Sequence, residues 1–222
     1  MIEAAVLGRV GIDLYPNELE TPLSEVRTFT RFVGGFAGNV ATGLARLGVR
    51  CAIVSRVGNE GNGDFVRSWL AGEGVDVRFL ATDPYWQTPA TFCEVWPPDR
   101  FPLLFYRKPT APDWQIQPGD FDAEEVAAAG VDAPTLVLKR GERGATVYEH
   151  GEETDVPGFP VEVVNGLGAG DAFAAAVGHG LLRGLSLVEA VRRGTVAGAI
   201  VASRLACSEA MPRLEELEAA LV

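Results

Sequence analysis

Short apolar runs alternate along this chain with longer stretches whose apolar residues recur at helical spacing. Ala4–Leu7 is a continuous run of small apolar residues, as a strand buried on both faces of a parallel sheet requires. Residues 51–55 and 136–138 read the same way, and the β-branched run at 161–164 reads as a further short buried strand. Between them, Val40, Leu44 and Leu47 mark a helix over 39–47, closed by Gly48. Further helices are expected over 64–71, over 172–182 ending at Gly184, after Ser186 with Glu189 as a capping box, and over 214–221 behind Pro212. After the helix over 64–71 the chain turns at 71–75 toward a strand near Phe79. Alternation of strand and helix predicts an α/β fold.

Two regions break that rhythm. Residues 16–30 are polar and interrupted by Pro22, so they form no core helix. Residues 88–108 hold an alternating stretch at 91–95 and an apolar one at 103–106, joined by a turn at Pro97-Pro98-Asp99-Arg100. A hairpin is expected between 145–148 and 153–156 across His150-Gly151.

The candidate chemistry centres on Gly166, Gly168 and Gly170, which stand between the run at 161–164 and the helix opened by Asp171. A strand, a glycine turn and a helix start aim free N–H groups and the positive end of a helix dipole at one spot, where an anion sits well. Glycine lets the backbone approach that anion closely. A carboxylate beside a bound phosphate is repelled, so Asp171 makes chemical sense as a base acting on an attacking hydroxyl. Taken alone, the pattern favours an ordinary first-turn acid on a tight turn. Earlier in the chain, Gly34, Gly35 and Asn39 can meet a polyol through backbone and amide hydrogen bonds, and Asn39 also suits a helix cap. Gly58, Gly61 and Gly63 have the wrong spacing for a dinucleotide site. Thr195-Val196-Ala197-Gly198-Ala199 admits either a neighbouring helix or a flat ring. Arg107 and Lys108 end a strand.

Gly168-Ala169-Gly170-Asp171-Ala172-Phe173 and Gly34-Gly35-Phe36-Ala37-Gly38-Asn39-Val40-Ala41 resemble, in that order, the two motifs of the ribokinase-like (PfkB) carbohydrate kinases. Arg9-Val10-Gly11-Ile12-Asp13-Leu14-Tyr15-Pro16, Thr91-Phe92-Cys93-Glu94, Phe105-Tyr106-Arg107-Lys108-Pro109 and the stretch from Ser203 to Pro212 resemble its 5-dehydro-2-deoxygluconokinase branch, which serves inositol breakdown. The resemblance implies one ribokinase-like three-layer α/β sandwich over the whole chain, with a small β lid built from segments at about 14–33 and 88–112. It implies phosphoryl transfer from ATP, with Mg²⁺, to a primary hydroxyl of a keto-deoxy sugar acid. Asp171 would be the base, and the amides of Gly168, Ala169 and Gly170 would steady the transferring group. Asp13, Gly34, Gly35, Asn39 and Arg107 would hold the sugar acid, Arg107 by its carboxylate. Lys139, Gly141, Gly168, Gly170, Ala197 and Gly198 would lie along the nucleotide. A dimer through the lid is expected.

The chain departs from that family between Trp114 and Thr135, where only about twenty residues replace several βα units and room remains for a single helix. The central sheet is therefore expected to be shortened. The Asn-x-x-Glu motif that arranges Mg²⁺ belongs to the missing units, so no Mg²⁺ ligands are assigned; Asn17-Glu18-Leu19-Glu20 fits the letters by coincidence. Asn165 stands where most of the wider family has Asp near a monovalent-cation site. A relative that binds sugar acid or nucleotide without efficient turnover is the alternative.

Composition narrows this further. At 222 residues and 47% hydrophobic, the chain can bury a real core. A net charge of −11 argues against nucleic-acid or anionic-membrane partners but leaves a small anionic substrate open. Cys51, Cys93 and Cys207 lack metal-binding spacing and read as free thiols, and only His150 and His179 are present, far apart. The opening residues read as a strand and not as a signal peptide, and no apolar run approaches a membrane span, so a cytoplasmic protein is expected.

Overall fold

In a computed structural model, which describes residues 2–120, 136–149 and 152–221, the strands gather into three sheets. The first is parallel: β1 (Ala4–Leu7), β4 (Cys51–Gly58) and β5 (Leu80–Asp83), in the order β1-β4-β5. The second is mixed: β2 (Gly11–Pro16), β3 (Phe29–Gly34), β6 (Ala90–Cys93) and β7 (Leu103–Tyr106), in the order β3-β2-β6-β7. The third is antiparallel: β8 (Leu136–Lys139), β9 (Ala145–Glu149) and β10 (Glu152–Val156) in sequence order. The helices are α1 (Phe36–Arg46), α2 (Gly61–Gly72), α3 (Ala169–Leu182), α4 (Leu187–Ala202) and α5 (Leu214–Ala220).

The parallel sheet and helices α1 and α2 share one core, in which Ile53, Val57, Leu44, Val66 and Leu70 are buried. α4 lies on the antiparallel sheet, where Leu187 and Val191 pack with Ala145, Val147 and Val156. α3 runs between α1 and α4 and packs most extensively on α4. Its approach to α1 is close: a β-carbon on Gly43 would come within 2.6 Å of the Ala175 methyl. This sandwiching explains why α1 is buried from Ala37 to Leu44, not only along a stripe.

Most expected elements form, with shifted ends. The helix expected from Asn39 begins at Phe36, with Gly35 as its N-cap at φ +90°. Asn39 is therefore an interior residue and does not cap. α2 begins earlier than expected because Glu60 accepts from the N–H groups of Asn62 and Gly63. Ser186 caps α4 by accepting from Glu189 N–H. The run at 161–164 forms no strand. Its backbone has no neighbouring strand to pair with among the described residues, and Val164 and Asn165 N–H donate instead to the carbonyl of Ala202 at the end of α4. The hairpin β9–β10 has the expected register, with Glu152 opposite Glu149, but its turn at 150–151 lies outside the described residues. So does most of the stretch expected to hold a single helix before Thr135. No helix among the described residues is long and apolar enough to cross a membrane.

Candidate active site

The glycine pair does two separate jobs. A β-carbon on Gly34 would fall 1.9 Å from Oδ2 of Asp13, so the absence of a side chain there is what lets the Asp13 carboxylate occupy its place. Gly35 turns the chain into α1 in a left-handed conformation, tight against the carbonyl of Arg9. Asp13 sits in the middle of β2, paired with Phe32 on one side and Thr91 on the other. It is almost fully buried, and its Oδ1 has no hydrogen-bond partner. Burial pushes its carboxyl pKa up, against the pull of the Arg9 charge and the Thr91 hydroxyl. A buried acceptor with an unused lone pair is set to receive a hydroxyl from a ligand.

Asp171 lies in the first turn of α3 and faces the same space. Asn39 Nδ2 donates to its Oδ2 at 2.7 Å, and Ser208 Oγ donates to Asn39 Oδ1 at 2.5 Å, so the amide is held from both ends. Burial raises the Asp171 pKa, while the Asn39 bond and the charges of Lys139 and Arg9 hold it down. The raised pKa makes the carboxylate a somewhat stronger base toward a hydroxyl. Gly168, at φ +83°, is the N-cap of α3 and packs directly on Cys207. The N–H groups of Gly168 and Gly170 have no acceptor among the described residues, whereas those of Ala169 and Asp171 bond to Gly166 and Gly168 carbonyls. The turn thus presents open donors at a helix N-terminus, as the sequence suggests, though Ala169 is not one of them.

Lys139 ends β8 and reaches this turn. Its Nζ is 2.9 Å from where a β-carbon on Gly170 would sit and 5.7 Å from the Phe173 ring centre. Gly141, at φ +61°, begins the surface turn that follows, with open space around it. The Gly166–Asp171 segment is fastened from below by Asn165, which is fully buried; its Nδ2 donates to the Leu205 carbonyl and its Oδ1 accepts from Leu167 N–H.

Two sets of expected site residues behave differently. Ala197 and Gly198 are buried in the α3–α4 interface, where a β-carbon on Gly198 would come within 3.0 Å of the Ala169 carbonyl. Their small size serves helix packing. Arg107 is engaged by Asp113 and stacks over Trp114, with its guanidinium carbon 4.5 Å from the ring centre. The cation that does accompany the two acids is Arg9, which bonds Thr91 Oγ1 at 3.2 Å. Arg9, Thr91 and Ser208 were not singled out from the sequence, although each lies in a stretch shared with the kinase branch. The Asn17–Glu20 letters lie in the loop between β2 and β3, tied to Thr28 and Thr30. Among the described residues no cluster of three or more His, Cys, Asp or Glu side chains is placed to hold a metal ion.

Comparison with known proteins fits this geometry. The description of the pfkB family of carbohydrate kinases matches the chain twice, over residues 1–112 and 97–214. The 5-dehydro-2-deoxygluconokinase of Clostridium tetani is 26% identical over 312 aligned positions, covering 98% of this chain and 92% of the relative. The enzyme of the same name from Geobacillus thermodenitrificans is also 26% identical, with the same coverage. Because the chain has 222 residues, these relatives carry many positions without a counterpart here. Among solved structures, fructokinase with bound ATP from Xylella fastidiosa superposes with a TM-score of 0.84 at 19% identity, covering 100% of this chain and 98% of that one. Ribokinase from Thermotoga maritima does so at 0.77 and 21%, covering 100% and 99%. The fold is ribokinase-like, and the chain belongs to the pfkB family of carbohydrate kinases.

Proposed function

We propose that this chain transfers the γ-phosphoryl group of ATP to a primary hydroxyl of a keto-deoxy sugar acid, 5-dehydro-2-deoxygluconate. The observation that carries the reading is Asp171, a half-buried carboxylate held by Asn39 beside the open N–H groups of Gly168 and Gly170. A base and an anion cradle within one turn are what alcohol phosphorylation requires. The choice of substrate is supported by the names of the relatives from C. tetani and G. thermodenitrificans.

Asp13 accepts a sugar hydroxyl at its unpaired Oδ1; Gly34 makes room for that carboxylate, and Gly35 turns the chain into α1 beside it. Asn39 orients Asp171 toward the reacting hydroxyl. Asp171 takes its proton as the oxygen attacks phosphorus and ADP leaves. The Gly168 and Gly170 amides, with Lys139 beside them, stabilise the negative charge on the phosphoryl oxygens. Mg²⁺ bound with ATP would neutralise phosphate charge; the described residues offer no cage for it, and each step above belongs to the chain's own groups.

A second reading, a relative that binds its ligands with little turnover, is favoured by the many positions present in the relatives and lacking here. Incubation with Mg-ATP and a panel of sugar acids and sugars, following ADP release, separates the two. Turnover with 5-dehydro-2-deoxygluconate above all others supports the first; binding by calorimetry without ADP release supports the second. Self-association through the lid is supported by β7, an edge strand whose Leu103, Leu104, Phe105 and Tyr106 are all exposed. Light scattering after gel filtration tests it, and a monomer at micromolar concentration rejects it.

A further inference from the structure

We infer that Arg9 is the residue that reads the carboxylate of the substrate, with Thr91 and Phe105 fixing its guanidinium. This deepens the sugar-acid reading above and rests on it. Three observations carry it. First, Arg9 belongs to the site: its charge acts on Asp13 and on Asp171 alike. Its backbone is pinned there, since the Arg9 carbonyl accepts from Ala37 N–H at 3.0 Å and is covered by Gly35.

Second, the side chain is oriented before any ligand arrives. Asp13, Thr91 and Phe105 stand opposite one another across β2, β6 and β7, in one row. The guanidinium lies along that row, bonded to Thr91 Oγ1 at 3.2 Å and 5.3 Å from the centre of the Phe105 ring. An aromatic face and a hydroxyl hold a guanidinium without neutralising it.

Third, most of its donors are free. A guanidinium has five N–H donors, Thr91 takes one, and although the Arg9 charge is felt by Asp13 and Asp171, no carboxylate among the described residues forms an ion pair with it. Arg107 differs on this point. Its partner Asp113 is buried, and turning Arg107 to a ligand would leave that carboxylate uncompensated. A half-buried guanidinium with free, forked donors beside the sugar-hydroxyl acceptor matches a planar carboxylate at the far end of a short polyol chain.

Calorimetry of the full chain with 5-dehydro-2-deoxygluconate, and with its neutral counterpart bearing hydroxymethyl in place of the carboxylate, tests this. The wild type is expected to prefer the acid. Arg9→Gln is expected to weaken acid binding by roughly 10- to 100-fold, the range of a charge-assisted bond, and to change neutral-sugar binding by less than about threefold. Arg9→Lys should fall between, since a point charge replaces a fork. Arg107→Gln should leave the acid-to-neutral ratio unchanged. If Arg9→Gln does not fold, the ratio in Arg9→Lys decides. Equal weakening of both ligands by the Arg9 variants, or loss of the preference in Arg107→Gln instead, overturns the assignment. A wild type that binds both ligands equally well removes the sugar-acid reading itself, and this inference with it.

Discussion

Asn39 and Asp171, 132 residues apart in the chain, are joined by a 2.7 Å hydrogen bond from the Asn39 amide to Oδ2 of the carboxylate. The bond leaves Oδ1 of Asp171 as the oxygen available to a hydroxyl and fixes the direction in which it points. Asp171→Asn keeps the shape and removes the base. Turnover should fall by two or more orders of magnitude, about the worth of general-base catalysis, with sugar-acid affinity nearly unchanged. Single-turnover kinetics and calorimetry on the same samples check both halves, and near-normal turnover would reject the role.

The same bond sets a pH dependence. Burial raises the Asp171 pKa above 3.8, and Asn39 partly counters this by stabilising the ionised form. Turnover needs that form, so it declines as pH falls through the raised pKa. Asn39→Ala removes a stabilising donor; the acid limb of the pH–rate profile should move to higher pH. The variant also strands Ser208 Oγ and should lose about 1–2 kcal/mol of stability. An acid limb that stays in place would separate Asn39 from the base.

Gly34→Ala puts a methyl where the Asp13 carboxylate lies, 1.9 Å from Oδ2, so the carboxylate must leave or β2 and β3 must part. Sugar binding should drop at least tenfold, because the acceptor is displaced. Gly72→Ala, with nothing within 4 Å and at the end of a helix, should instead leave binding intact and raise stability by about 0.4–1 kcal/mol. Calorimetry and thermal melts of the pair test the contrast; a Gly34→Ala protein with wild-type affinity would contradict it.

Asp13 should cost the protein stability. Its folded pKa lies above its unfolded value, so the folded state binds more protons between the two, and stability falls as pH rises through that window. Asp13→Asn removes this dependence. Its melting temperature should exceed the wild type's at pH 7, the gap should close toward pH 4, and sugar binding should weaken. A variant less stable than wild type at pH 7 would refute the sign.

Lys139→Ala should weaken Mg-ATP binding and leave sugar-acid binding unchanged, because Lys139 lies at the Gly170 and Asp171 end of the site, and no effect of its charge on Asp13 is resolved. Titrating each ligand separately distinguishes this from a general loss of fold.

The alternation of strand and helix was readable because burial on two faces leaves unbroken apolar runs and burial on one leaves a period near 3.6. The run at 161–164 shows the limit of that reading: a β-branched stretch needs a partner strand, and the chain supplies the end of α4 instead. Asn39 and Asp171 were legible because a glycine pair and a helix start leave local marks, whereas Asp13 came in only through the resemblance to the kinase branch. Arg9 was not legible, since its meaning comes from the register that sets Thr91 and Phe105 beside it, and register is a property of three strands at once. Ala197 and Gly198 show the converse: smallness alone does not say whether a helix or a ring will use the space.

The hydrogen bonds that close the site join the two ends of the sequence: Ser208 to Asn39 across 169 residues, and Tyr15 to Cys207 across 192. Each such contact closes a loop of most of the chain and carries that loop's entropic cost. As the chain leaves the ribosome, Asn39 has no partner to hold it until residues 171 and 208 have been synthesised. Sugar-acid binding by the complete site is therefore a late event in the birth of the molecule, and its appearance during refolding would time the final closure of the fold.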